Sequence, residues 1–135
     1  TFVACAAVAD YRAADIAQEK IKKDNAHMQI ELVKNQDIVA DVAQLANKPY
    51  VVGFAAETQN VEQYALGKLV RKNLDLIAAN NVSGSGQGFN SDDNAITLYS
   101  ANDKTEIPLA SKSLVAKKLV ALVNHYYLAK QTKSQ

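Results

Sequence analysis

One cysteine, two histidines and no tryptophan in 135 residues exclude several classes of protein before any motif is read. The lone Cys5 cannot build an internal disulfide framework, and the scattered His, Asp and Glu residues show no metal-ligand spacing. Neither sign of charge dominates. Fifteen basic against fourteen acidic residues leave a net +1, too little for a protein that coats nucleic acid or an anionic membrane. Any recognition of phosphate must therefore be local. No apolar run approaches the ~20 residues that span a bilayer, and Phe2 to Ala9 lacks the basic flank and length of a signal peptide. Ser/His/Asp and Cys/His constellations are missing, as are internal repeats. A reducing, cytoplasmic setting is the default expectation. The chain opens at Thr1 on what reads as a buried strand, so an upstream portion is expected.

What is present is a core. With 48% hydrophobic residues the chain is long enough for one globular domain. Phe2 to Val8 is a continuous apolar run, predicting a strand covered on both faces, with Cys5 as inert packing. Residues 9–26 have no sustained period and are expected to form a long loop. From His27 to Lys34 the chain alternates, with Met28, Ile30 and Leu32 on one side and Gln29 and Glu31 on the other, predicting a half-exposed strand. Asn35 and Asp37 suit the caps of a helix carrying Ile38, Val39, Val42, Ala43 and Leu45. Tyr50 to Ala56 repeats the buried-strand pattern, Asn60 to Arg71 reads as a helix with Val61, Tyr64, Ala65 and Leu69 inward, and Leu74 to Ala79 is a further buried strand. Alternation of this kind predicts an α/β fold, a Rossmann-like parallel sheet with flanking helices. Beyond a polar loop at 83–94, Ala95 to Ser100 and Lys104 to Leu109 flank a hairpin turn. A final helix from Ser111 presents Val115, Leu119, Leu122, Val123 and Tyr126 on one face.

Ligands of open parallel sheets bind beyond the carboxyl ends of the strands. Those ends are Ala9-Asp10-Tyr11, Phe54 to Thr58 and Ala79-Asn80-Asn81. Asp10 can accept hydrogen bonds from ribose hydroxyls, and the cluster Lys20, Lys22 and Lys23 can neutralise phosphate. Lys68 and Lys72 lie one helical turn apart on one face, with Arg71 beside them. Each feature has a bland competitor: Asp10 as a turn former, the lysines as a solvated face, Phe54 as core. His27 and His125 read as surface residues, and Asp92 and Asp93 as loop formers rather than helpers of a metal. The run Gly84-Ser85-Gly86-Gln87-Gly88 lacks the Gly-Lys-Ser/Thr of a phosphate loop and the dinucleotide spacing, and is read as a turn.

Taken in order, Ala-Ala-Val-Ala-Asp-Tyr-Arg (6–12), Glu-Lys-Ile-Lys-Lys (19–23), Val-Lys-Asn-Gln-Asp-Ile-Val (33–39), Val-Val-Gly-Phe-Ala-Ala-Glu-Thr (51–58), Arg-Lys-Asn-Leu-Asp-Leu-Ile (71–77) and Gly-Phe-Asn-Ser-Asp-Asp-Asn (88–94) strongly resemble the phosphopantothenoylcysteine synthetase family. In bacteria such synthetases are usually the carboxy-terminal half of a bifunctional flavoprotein of coenzyme A synthesis, and the decarboxylase half is the part that holds FMN. The resemblance implies activation of the 4′-phosphopantothenate carboxylate by CTP with Mg2+, giving an acyl-cytidylate and pyrophosphate. The amine of L-cysteine then displaces CMP. By the same resemblance Asp10 binds the cytidine ribose, and Ala4, Cys5 and Ala6 line the nucleotide pocket. Lys20 is the catalytic loop lysine on the triphosphate. Gln36, Asp37, Ile38 and Val39 frame the nucleotide, Phe54 packs against it, and Lys68 and Lys72 complete the phosphate clamp. Gln36 stands where many relatives have proline. The family's Gly-rich opening strand-turn-helix, and its asparagine that handles the acyl-cytidylate, have no counterpart here, so the chain is expected to be the later part of a synthetase domain. The resemblance also implies a homodimer, with residues 27–34 and the hairpin at 95–109 as candidate contacts. Two alternatives stand beside it: a domain of an NAD(P)-dependent oxidoreductase, weakened by the missing Gly-x-Gly-x-x-Gly, and a nucleotide-binding module without turnover.

Overall fold

The computed structural model describes residues 1–22, 26–82 and 91–133. In chain order its elements are β1 (Phe2–Val3), β2 (Tyr11–Ala13), β3 (Leu32–Lys34), α1 (Ile38–Ala43), β4 (Val51–Glu57), α2 (Val61–Arg71), β5 (Leu76–Asn81), β6 (Asp93–Tyr99), β7 (Lys104–Ser111) and α3 (Lys112–Lys133). They divide into two compact units, Thr1–Cys5 with Val39–Gln135, and Ala6–Ile38.

The larger unit is a five-stranded sheet ordered β1-β4-β5-β6-β7. β1, β4 and β5 run parallel, while β6 and β7 return antiparallel, so the hairpin expected after the loop extends the same sheet. This is a Rossmann-like α/β arrangement with a mixed sheet. Side chains of successive strand residues point to opposite faces. On one face Val52, Leu76, Ala78, Ile96 and Leu98 meet Val115, Leu119 and Val123 of α3, the stripe read from the sequence. On the other, Val51, Ala55, Ile77 and Ala79 meet Ala65 and Leu69 of α2 and Ala43 of α1. Each large aliphatic side chain buried in this way contributes roughly 1.5–3 kcal/mol. Asn94 pairs with Ala110 but Ile96 with Ile107, which places one extra residue on β7 around Pro108 and Leu109. A bulge on this edge strand tolerates the missing proline N–H.

The turn from α2 into β5 explains the motif Asn-Leu-Asp-Leu-Ile. Asn73 takes a left-handed φ of 54°. Its N–H donates to Val70 O at 3.1 Å, and the Leu74 N–H donates to Leu69 O at 2.9 Å. With Leu69 and Leu74 both buried, this is a Schellman stop with its hydrophobic contact. Asn73 Nδ2 also donates to Ala43 O at 3.0 Å, tying the ends of α1 and α2 together. Asp75 then binds the start of β4: its Oδ2 accepts the Val51 N–H at 2.8 Å, and Lys48 and Lys130 pair with its carboxylate. Motif residues that a sequence reader would search for chemistry thus hold the amino-terminal end of the sheet.

Several expectations are corrected. The strand foreseen over Phe2 to Val8 is only Phe2–Val3. Its ladder to β4 closes with the Ala4 N–H on Val52 O, and the Cys5 N–H turns back to Val3 O. Cys5 is consequently exposed rather than packed in a buried strand. The loop expected at 9–26 contains β2, and the strand expected over 27–34 is reduced to Leu32–Lys34, with Met28, Ile30 and Leu32 all exposed. Apolar alternation is present there, but among the described residues β3 pairs only with the three-residue β2 and its apolar side chains stay largely uncovered. Tyr64 is exposed rather than inward, α1 ends at Ala43 with Ile38 and Leu45 exposed, and the strand expected at Leu74 begins at Leu76 because the helix stop uses Leu74. The glycine-rich run at 84–88 and Lys23 lie outside the described residues.

In the smaller unit β2 and β3 pair antiparallel, Tyr11 opposite Lys34 and Ala13 opposite Leu32. None of its described residues is buried.

Candidate functional site

At the carboxyl end of β4 the backbone leaves the sheet through Ala55-Ala56-Glu57. Gly53, earlier in β4, makes room for Leu74 at the other end of the sheet: a Cβ there would stand 2.7 Å from Leu74 Cδ1. Phe54 points to the face that α3 covers lower down, yet it is 38% exposed. The competing reading of Phe54 as buried core is corrected, since the residue is exposed. Glu57 lies on the α2 face, where its Oε1 meets Lys68 Nζ at 2.7 Å. Lys68 is about two turns into α2, and helical side chains lean toward the amino terminus, which brings its ammonium back to the strand end. Lys72 is the C-cap of α2, its N–H bonded to Lys68 O. It therefore stands about 6 Å of helix axis farther from the strand ends than Lys68. The two lysines read as one clamp are unequal in position. Ala4, half-buried, and exposed Cys5 follow β1. Val39, the second residue of α1, packs on the sheet and Ile38 is exposed.

The smaller unit carries Ala6, Asp10, Lys20, Gln36 and Asp37, all exposed. Here the structure brings together two segments that the sequence separates. The Asn35 N–H donates to Asp10 O at 2.9 Å, and Asn35 Nδ2 donates to Ala9 O at 2.7 Å. Arg12 Nη1 donates to Asn35 Oδ1 at 3.0 Å and to Lys34 O at 3.1 Å. The turn at Asp10 and the stretch entering α1 are thereby neighbours. Sequence reasoning gave Asn35 only a capping role and Arg12 and Glu57 no bonding partner. The one available signal was their place inside the ordered motifs. His27 and His125 are exposed, as expected. A cavity of about 250 Å³ on the α2 face, lined by Val61, Ala79, Thr97, Tyr99, Glu106 and Pro108 among others, includes none of the expected site residues.

Charge in the larger unit is organised away from the strand ends as well. Burial pushes the Tyr50 phenol up to about 12, helped by the nearby Asp75 carboxylate and Tyr126. Burial also raises Tyr126, whose hydroxyl donates to Asp103 Oδ2 at 2.7 Å and thus ties the hairpin turn to α3. Among the described residues no three His, Cys, Asp or Glu side chains gather as a metal site. No described helix is long and apolar enough to cross a membrane.

A sheet of this topology, with polar and charged groups at the carboxyl ends of its parallel strands, places the chain among the Rossmann-like α/β domains. More narrowly, it belongs to the family described as the DNA/pantothenate metabolism flavoprotein C-terminal domain, whose model matches residues 1–127. It is 58% identical over 126 residues to the coenzyme A biosynthesis bifunctional protein CoaBC of Vibrio cholerae, covering 91% of this chain and 32% of that protein. It is 56% identical over 123 residues to the protein of the same name from Escherichia coli K12, covering 88% and 30%. The chain thus spans about a third of the length of these curated relatives. A crystal structure of the C-terminal domain of a CoaBC protein superposes with a TM-score of 0.67 at 31% identity, over 93% of this chain and 53% of that one. The DNA/pantothenate metabolism flavoprotein of Streptococcus pneumoniae shares the fold, with a TM-score of 0.62 at 20% identity over 79% and 46%.

Proposed function

We propose that this chain is the later part of a phosphopantothenate–cysteine ligase domain that uses CTP in coenzyme A synthesis. The observation that carries the reading is the level of identity, over about nine tenths of this chain, to proteins named for coenzyme A biosynthesis. Supporting it are the exposed Phe54 ring and the Glu57–Lys68 pair at the carboxyl end of β4. In the first step a carboxylate oxygen of 4′-phosphopantothenate attacks the α-phosphorus of CTP, and the bond to the leaving pyrophosphate breaks. The amine of L-cysteine next attacks the activated carbonyl carbon, CMP leaves, and the amine loses its proton. Anions must be brought together in the first step, so positioning and charge neutralisation carry the catalysis and no side-chain nucleophile is needed.

In this reading Asp10 accepts from the ribose, and Ala4, Cys5, Ala6 and the stretch Gln36 to Val39 border the nucleotide. Phe54 packs against it, Lys20 acts on the triphosphate, and Lys68 with Lys72 balances phosphate charge. Among the described residues no cluster of three His, Cys, Asp or Glu side chains offers a dedicated cage for a divalent ion. Magnesium enters as the counter-ion of the triphosphate, part of the substrate. The full-length protein would be a cytoplasmic homodimer fused to an FMN-dependent decarboxylase domain. The test is pyrophosphate release from CTP by the full-length polypeptide, dependent on 4′-phosphopantothenate. Lys20→Ala should lower that rate by about a hundredfold without altering the melting temperature, the size of effect seen when one transition-state charge contact is lost. A Lys20→Ala rate equal to wild type removes this lysine from the mechanism.

A further inference from the structure

We propose that Asn35, oriented by Arg12, is a positioning residue for the nucleotide site, holding the Asp10 turn beside the Gln36–Ile38 segment. The inference rests on the CTP reading above. Its starting point is a deficit. The unit Ala6–Ile38 has no buried side chain among its described residues, and its only ladder pairs two strands of three residues. An isolated two-stranded ladder is marginal in water. Among the described residues, then, packing does little to hold Asp10 in place, and polar bonds carry that work.

Those bonds converge on one side chain. Asn35 directly follows β3 and continues the register by one step: its N–H donates to Asp10 O at 2.9 Å. Its Nδ2 reaches one residue farther, to Ala9 O at 2.7 Å. The peptide carbonyls on both sides of the Asp10 Cα are thereby restrained, and so is the direction in which the Asp10 carboxylate leaves the chain. On the opposite side of the amide, Oδ1 accepts from Arg12 Nη1 at 3.0 Å, while the same nitrogen donates to Lys34 O at 3.1 Å. Arg12 sets which way the Asn35 amide faces.

The chemistry requires an amide at this position. Both a donor and an acceptor are used on one planar group, which alanine lacks entirely. Aspartate keeps the acceptor for Arg12 but sets a carboxylate oxygen against the Ala9 carbonyl. Glutamine places the same group one methylene farther out. Because Asn35 also leads directly into Gln36, a loose Asn35 would separate the proposed ribose contact from the proposed frame of the nucleotide.

Steady-state kinetics of pyrophosphate release by the full-length polypeptide test the role. Asn35→Ala and Asn35→Asp should each raise KM for CTP by about tenfold, the scale of a small misplacement of a binding group, with KM for cysteine and the melting temperature unchanged. Arg12→Met should raise KM for CTP less, and should add nothing in the Asn35→Ala background, because the two residues act as one unit. An unchanged KM for CTP in both Asn35 variants overturns the proposal. So does a parallel rise in the KM of every substrate with a lowered melting temperature, which would reveal a structural role alone. Wild-type protein that releases no pyrophosphate from CTP would instead sink the nucleotide reading, and this role with it.

Discussion

Lys68 meets two demands at the residue scale. Its ammonium is held by Glu57 at 2.7 Å, with the lysine side chain 35% exposed and the glutamate 15% exposed. A part-exposed pair of this kind contributes only about 0–1 kcal/mol to stability. Its value in the proposed site is orientation, since a lysine pulled toward the strand end is already where a phosphate would arrive. Lys68→Met should therefore weaken CTP binding about tenfold, as expected for loss of one charge-assisted contact, and shift the melting temperature little. Calorimetric titration and a thermal melt on the same sample check both halves; a large fall in melting temperature with unchanged affinity would make Lys68 a structural residue. Helical spacing and the family resemblance single out Lys68 together with Lys72, and neither distinguishes the two. Only the folded helix separates them, because Lys72 falls at its C-cap. Asn35 shows the same limit from the other direction: a capping residue type was legible, whereas bonds to Ala9, Asp10 and Arg12 depend on a pairing between segments that no local pattern encodes.

Among the elements, those with a covered face were legible and those without one were not. β4, α2 and α3 follow their apolar periods because a second layer rewards each buried position. The runs at 2–8 and 27–34 carried equally clear patterns but gained only two and three residues of strand, since hydrophobic alternation records what a residue prefers and not whether a partner strand is present. The α2–β5 junction depends on a different device. Asn73 combines a left-handed backbone with a side-chain bond to Ala43 O and a carbonyl that accepts from Lys48 Nζ at 2.6 Å. Asn73→Ala should cost about 2 kcal/mol, adding the left-handed penalty to the lost hydrogen bond. Asn73→Gly restores the backbone freedom and should recover about half of that. Urea unfolding of the three proteins measures the difference; equal midpoints for alanine and glycine would show that the left-handed conformation adds nothing.

For the whole molecule, the amino-terminal edge of the sheet and the carboxyl-terminal edge divide the work. The first is closed by Asp75 with Lys48, Lys130 and the Val51 N–H, and by Tyr50, whose ring stands edge-on to Tyr127 at 5.6 Å. The Tyr50 phenol moves from 10.0 in the unfolded chain up to about 12 in the folded one, so the folded state keeps a proton that the unfolded state loses. Its contribution is complete below pH 10 and is lost as pH rises from 10 toward 12. Tyr126, raised in the same direction, adds to that alkaline loss. Tyr50→Phe should flatten the fall in stability across this window, as read by urea unfolding at stepped pH, and a slope equal to wild type would assign the loss to other groups. The second edge carries the exposed Phe54 and the Glu57–Lys68 pair at the end of β4. The proposed function turns on which nucleotide the protein binds. Isothermal titration of the full-length polypeptide with CTP, ATP and NAD is the most direct measurement: the account predicts saturable binding of CTP in preference to ATP, no binding of NAD, and weakening by added salt, whereas binding of NAD without binding of CTP would contradict it.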